Sequence, residues 1–188
     1  MLTKRVLIVY GTRFGSTEEI SIKFAEIMRN QGLDTTVIDV KKDKWPPLDQ
    51  FDAVLIGSSI KMGRWTKEAK NFFKKYANHL KEKPFLAVFV SSGEASYPEK
   101  YQEAKEKYVQ KIITSLGFDL NKVMHEAFGG VFDLSNTSKI GWLEKKFANM
   151  SARDDKSSNL TENDYNDLRD WDQIYSFANE SNTRILQI

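Results

Sequence analysis

Two glycines bracket a run of polar residues, Gly11-Thr12-Arg13-Phe14-Gly15-Ser16-Thr17, directly after the apolar stretch Val6-Leu7-Ile8-Val9-Tyr10 and directly before an amphipathic helical pattern. A buried strand that turns sharply into a helix leaves several backbone N–H groups unpaired at the helix N-terminus, where the helix dipole adds partial positive charge. The run therefore reads as a cradle for a phosphate monoester. Its glycines allow close backbone approach, and the hydroxyls of Thr12, Ser16 and Thr17 with the guanidinium of Arg13 are candidate donors. A plainer reading makes Ser16 an N-cap, with Glu19 completing a capping box three residues later.

Spacing narrows the ligand. A nucleotide P-loop has four residues between its glycines and a lysine after them, whereas three residues separate Gly11 from Gly15 and Ser16 follows. The dinucleotide fingerprint needs Gly-x-Gly-x-x-Gly and an acidic residue about twenty positions on; only Asp39 partly fits.

The sequence has 188 residues, 40% hydrophobic and 29% charged, which suits one globular domain over residues 1–188. No apolar run approaches the roughly 20 residues of a membrane span. A strand pattern begins by Arg5, leaving no room for a signal peptide, so a cytoplasmic setting is expected. Cysteine is absent, which excludes disulfides, thiol redox chemistry and iron–sulfur ligation by this sequence. Redox work would need a bound cofactor. His79 and His125 have no metal-ligand spacing, so no metal site is expected, and His79 reads as a surface residue near a helix end.

Five short apolar runs read as buried parallel strands: Arg5–Tyr10, Thr35–Val40, Ala53–Gly57, Phe85–Ser91 and Val123–Phe128. Helical patterns lie between them at about Thr17–Gln31, Thr66–His79 and Lys100–Leu116, with Gly32 and Gly117 as terminators. Alternation of strand and helix through most of this stretch, with right-handed crossovers, predicts an open, doubly wound α/β sheet that binds its ligand at the carboxyl ends of the strands. The loops that matter then follow strands one, three and four. Beyond strand five, Ser135–Met150 has helical spacing, Ser151–Asn163 reads as a polar linker, and a last helix is expected around Asp164–Glu180. The tail Arg184–Ile188 reads as a segment that docks on another subunit, frays, or folds back on its own sheet. The oligomeric state is not legible.

With these elements assembled, the sequence resembles the flavodoxin superfamily and, more narrowly, the flavodoxin-like menaquinone-dependent protoporphyrinogen oxidases. The resemblance rests on Thr12-Arg13-x-Gly15-x-Thr17, Ile56-Gly57-x-Ser59-Ile60-Lys61-x-Gly63, Phe72-x-Lys74-Lys75-x-Ala77, Gly129-Gly130, and Asp170-Trp171-x-x-Ile174 with Phe177-Ala178. It implies a five-stranded sheet of order 2-1-3-4-5, an extra segment at about 133–163, and FMN as cofactor. Thr12, Arg13, Phe14, Gly15, Ser16 and Thr17 would form the phosphate loop. Ser58, Ser59, Ile60, Lys61, Met62 and Gly63 would flank the isoalloxazine ring, with Ser92 and Gly93 near its far edge. Phe14 stands where common flavodoxins have a second hydroxyl residue, which makes Arg13 the natural substitute donor.

Common flavodoxins are strongly acidic, whereas this sequence has a formal charge of +2. Residues 60–83 hold eight lysines and arginines against Glu68 and Glu82. One reading of that stretch is a solvated helix face. The other is a patch that meets an anionic substrate or, with the 140–150 segment, anionic lipid at a peripheral membrane contact. No side chain stands out as a general base. Catalysis is therefore assigned to flavin N5, with Lys61 and Arg64 as electrostatic candidates that favour the reduced flavin. The resemblance implies oxidation of a reduced tetrapyrrole with electrons passed to a quinone. An electron-transfer flavodoxin serving a protein partner, or an NAD(P)H-dependent quinone or flavin reductase, stand as alternatives. No nucleic-acid module is recognised.

Overall fold

The computed structural model describes residues 3–133 and 165–188. Five parallel strands, β1 (Arg5–Gly11), β2 (Asp34–Asp39), β3 (Ala53–Ser59), β4 (Phe85–Ser91) and β5 (Met124–Phe128), form one sheet in the order β2-β1-β3-β4-β5. That is the expected topology, with strand limits within two residues of those read from the sequence. Buried parallel strands are continuously apolar, and their ends coincide with the change to polar residues.

The period of two divides each strand between two cores. Leu7, Val9, Val54, Ile56, Val88 and Val90 face a cluster that includes Phe72, Phe73, Tyr108 and Ile113. Those four lie on α2 (Lys67–Lys75), on a π-helical turn (Glu106–Gln110) and on α5 (Lys111–Ser115), with α3 (Ala77–Lys81) and α4 (Pro98–Lys105) on the same side. Val6, Ile8, Leu55, Ala87 and Phe89 face Ile20, Phe24, Ile174 and Phe177. These come from α1 (Ser16–Asn30) and the C-terminal helix α6 (Trp171–Leu186). Phe24 lies edge-on to Phe89 at 5.1 Å and stacks on Phe177 at 5.6 Å, tying both helices to the sheet.

Several elements differ from the sequence reading. The helix expected over Thr66–His79 is divided at Tyr76, whose ψ of 10° ends α2. The helix expected over Lys100–Leu116 starts at Pro98 and contains the π turn, which places one extra residue in the helix. The last helix starts at Trp171, capped by the Asp170 carboxylate, and runs on to Leu186. Thus residues 184–186 are helix, and Ile185 is fully buried against the sheet rather than presented to a partner.

Two further strands were not expected, β6 (Val131–Asp133) and β7 (Tyr165–Asp167), which pair antiparallel. Most of the anticipated extra segment, including the helical pattern at 135–150 and the linker at 151–163, lies outside the described residues. The antiparallel pair joins its two ends beside the carboxyl edge of the sheet.

Candidate functional site

Strand register assembles the site. Gly11 lies beside Ser58, and Ser59 beside Ser91, so the loops leaving β1, β3 and β4 emerge next to one another. The order of the strands reverses at β1, and the crevice opens there.

The first loop is a tight turn into α1. Gly15 is the N-cap, at φ 100°, a left-handed conformation that glycine alone adopts freely. Ser16 is therefore the first helical residue, not the N-cap of the plainer capping-box reading. The Thr12 hydroxyl accepts from the Gly15 N–H at 2.9 Å, and its own proton remains able to donate outward. Ser91 Oγ lies 3.0 Å from both Ser16 Oγ and the Gly129 carbonyl, joining the loop to β4 and to the exit from β5. Thr17 is wholly buried, and its hydroxyl has no partner among the described residues. A buried hydroxyl left unpaired costs on the order of 1–3 kcal/mol, so an orphan in the first turn of a strand-to-helix loop fits a phosphate acceptor.

Ser59, at the end of β3, has the same property: buried, with an unpartnered hydroxyl. The neighbouring Ser58 does not. Its hydroxyl accepts from the Thr66 N–H at 3.0 Å and contacts Thr66 Oγ1 at 3.3 Å, so the Ser58 side chain locks the start of α2 instead of flanking a ring. Ile60 extends the ladder, its N–H donating to Ser91 O at 2.9 Å.

Residues 61–64 form a two-residue hairpin. Lys61 N donates to Arg64 O at 3.0 Å and Arg64 N to Lys61 O at 3.1 Å, with Met62 at φ 48° and Gly63 at φ 71°. Positive φ at both central positions is the type I′ turn. Met62 at its tip is 89% exposed.

Arg13 differs most from its expected role. Its guanidinium donates to the carbonyls of Lys61 and Arg64, each at 3.4 Å, and of Trp65 at 3.3 Å. It spans two loops. Phe14, 41% exposed, carries the Lys61 ammonium 5.0 Å from its ring centroid.

Ser92 and Gly93 lie in the loop that leaves β4. Ser92 N donates to Phe128 O at 2.9 Å, and the Phe132 ring of β6 packs on Gly93 so closely that a Cβ there would lie 2.2 Å from it. β6 therefore covers the site's fourth-strand edge.

Two contributors had no sequence signal. Arg169, with a side chain 2% exposed, makes a bidentate pair with Asp167 (2.7 and 2.8 Å), an ion pair with Glu19 on α1 (2.7 Å), and a contact to the Ser16 carbonyl at 3.4 Å. Burial alone would push the Asp167 carboxyl up, but the Arg169 donors hold it below the usual carboxylate range. The π turn presents the Tyr108 carbonyl to the Trp65 indole at 2.7 Å, while the Tyr108 hydroxyl donates to Glu94 at 2.7 Å. Burial, first, and the Glu94 bond raise the Tyr108 phenol, which stays protonated. Both contacts join residues far apart in the chain, beyond what local spacing reports. Among the described residues no cluster of metal-ligating side chains occurs, and no helix is long and apolar enough to cross a membrane.

The comparisons agree with this fold. Residues 7–161 match the family model for the flavodoxin domain. Protoporphyrinogen IX dehydrogenase [quinone] of Escherichia coli K12 is 30% identical over 109 residues, a stretch that spans 58% of this chain and 60% of the relative. Among solved structures, the rubredoxin:oxygen oxidoreductase of Desulfovibrio gigas superposes with a TM-score of 0.56 at 15% identity, covering 98% of this chain and 37% of that one. The flavodiiron protein of Giardia intestinalis gives 0.52 at 12% identity, again covering 98% and 37%. These two show the fold. The topology, the phosphate loop with its orphaned hydroxyl and the match over most of the sequence converge: the chain belongs to the flavodoxin domain family, and its cofactor is FMN.

Proposed function

We propose that residues 1–188 act as one FMN-binding unit, with 133–163 as an insertion, that oxidises a reduced tetrapyrrole or a similar donor and passes the electrons to a quinone. What carries the reading past an FMN protein in general is the 30% identity to a relative described as a quinone-linked protoporphyrinogen dehydrogenase. The charge of the ring-side hairpin supports it. FMN, when bound, supplies the two-electron chemistry that a cysteine-free chain lacks.

In this reading Gly15, Ser16 and Thr17 hold the phosphate through backbone N–H groups and the Ser16 and Thr17 hydroxyls, while Thr12 shapes the turn and donates from its rim. Ser59, Ile60 and the hairpin Lys61-Met62-Gly63-Arg64 border the ring. Lys61 and Arg64 put positive potential on that side, which favours the more negative, reduced cofactor and attracts a carboxylated donor. The protein would work in the cytoplasm, where a quinone acceptor brings it to the inner membrane face.

The test is anaerobic turnover of protoporphyrinogen by the FMN-loaded protein with a menaquinone analogue. Coupled loss of donor and reduction of quinone is expected. A fully loaded sample that transfers nothing to the quinone, and is reduced in two separate one-electron steps, would replace the enzyme with an electron carrier.

A further inference from the structure

Building on the FMN assignment, we propose that Arg13 and Phe14 are positioning residues for the ring-side hairpin and not ligands of the phosphate. The two residues are consecutive in the first loop, and both reach the same segment. Arg13 crosses to the carbonyls of Lys61, Arg64 and Trp65; Phe14 receives the Lys61 ammonium over its ring. The hairpin is therefore linked to the phosphate loop at two points that use different chemistry, a fork of N–H donors and an aromatic face.

The carbonyls chosen are informative. Those of Lys61 and Arg64 already accept the hairpin's own two backbone bonds, and Arg13 takes their remaining acceptor capacity. A guanidinium laid across both ends of a two-residue turn opposes its opening. The turn needs that support, because Met62 holds a left-handed conformation that a residue with a side chain adopts at a cost. The third carbonyl, Trp65, leads into the Thr66 cap of α2, so the fork also sets where the hairpin joins the helix.

The same assignment accounts for Phe14. Exchange of a hydroxyl for a phenyl ring weakens a phosphate site but creates a platform for Lys61. The phosphate keeps the Thr17 hydroxyl, which has no partner among the described residues, and the turn at Gly15.

Riboflavin, which has the ring and ribityl chain of FMN without the phosphate, separates the two roles. Dissociation constants for FMN and riboflavin are measured by quenching of flavin fluorescence, in about 0.5 M salt so that charge acts over only about 4 Å. Arg13→Gln and Phe14→Leu, which removes the ring without adding a hydroxyl donor, are each expected to weaken both ligands by the same factor, about three- to tenfold for an exposed clamp. Arg13→Lys keeps the charge but cannot span three carbonyls, and should resemble Arg13→Gln. Thr17→Val is the reference for a phosphate ligand: weaker FMN, unchanged riboflavin. Unchanged circular dichroism confirms that the variants fold. An Arg13→Gln effect confined to FMN, or absent for both ligands, overturns the assignment while the FMN reading stands. A wild-type protein that binds neither flavin overturns both.

Discussion

Met62 is the residue at which local conformation and side chain disagree most. Its φ of 48° is tolerated by glycine and asparagine and resisted by a long unbranched side chain. At 89% exposure it gains little packing in return among the described residues. Asn-Gly is the favoured pair at the centre of a type I′ turn, so Met62→Asn should stabilise the protein by about 0.5–1 kcal/mol. A higher urea midpoint at unchanged m value is the expected result; an unchanged or lower midpoint would show that the Met62 side chain itself supports the hairpin. Sequence reading placed Met62 and Gly63 beside the ring but not in a hairpin, because Met-Gly is a poor turn signal. Thr17 was the opposite case. A hydroxyl two residues beyond a Gly-x-x-x-Gly turn is legible as a donor, and Thr17 is buried with no partner among the described residues.

Among the elements, the β6–β7 pair and Arg169 connect the end of the chain to the phosphate loop. Arg169 sits between Asp167 and Glu19, with Trp171 against its guanidinium at 4.6 Å. Removing it leaves two carboxylates facing each other without a cation. Both are partly exposed, so Arg169→Met should cost about 2 kcal/mol, less than the ~3–5 kcal/mol of a fully buried pair. The pair also carries a pH dependence. The Asp167 carboxyl is held below its usual range, so its stabilisation is complete above the unfolded value near pH 4 and is lost as pH falls through the lower, folded value. The stability gap between wild type and Arg169→Met, read from urea midpoints, should therefore be widest above pH 5 and narrow towards pH 3. A constant gap would mean that the arginine acts by packing alone. None of this was legible beforehand. Five long apolar strands announce themselves by composition, whereas three-residue strands such as β6 and β7 are shorter than any periodicity, and the π turn shifts the buried stripe beyond it, so that Val109 and Ile113 are buried while Ile112 and Leu116 are only partly so.

At the scale of the molecule, the division of labour follows from the sheet. Alternate residues of each strand feed two separate apolar cores, so the strands are fixed from both faces and their carboxyl ends hold the loops in place. The left-handed Gly15, the Ser16–Ser91 contact and the hairpin bonds hold the loops through the protein's own residues. A site of this kind binds with little rearrangement, and ligand binding free energy then appears as added stability of the whole fold. FMN at one hundred times its dissociation constant should add about 2.7 kcal/mol. For a chain of this size 1 kcal/mol corresponds to about 2–4 °C in melting temperature, so the expected rise is about 5–10 °C. Riboflavin at the same concentration should raise it less, because the orphaned Thr17 hydroxyl and the helix N-terminus gain no phosphate. Scanning calorimetry of protein alone, with FMN and with riboflavin ranks the three. Equal shifts for the two flavins would remove the phosphate loop from the site, and no shift with either would leave this fold without the cofactor its loops are built to receive.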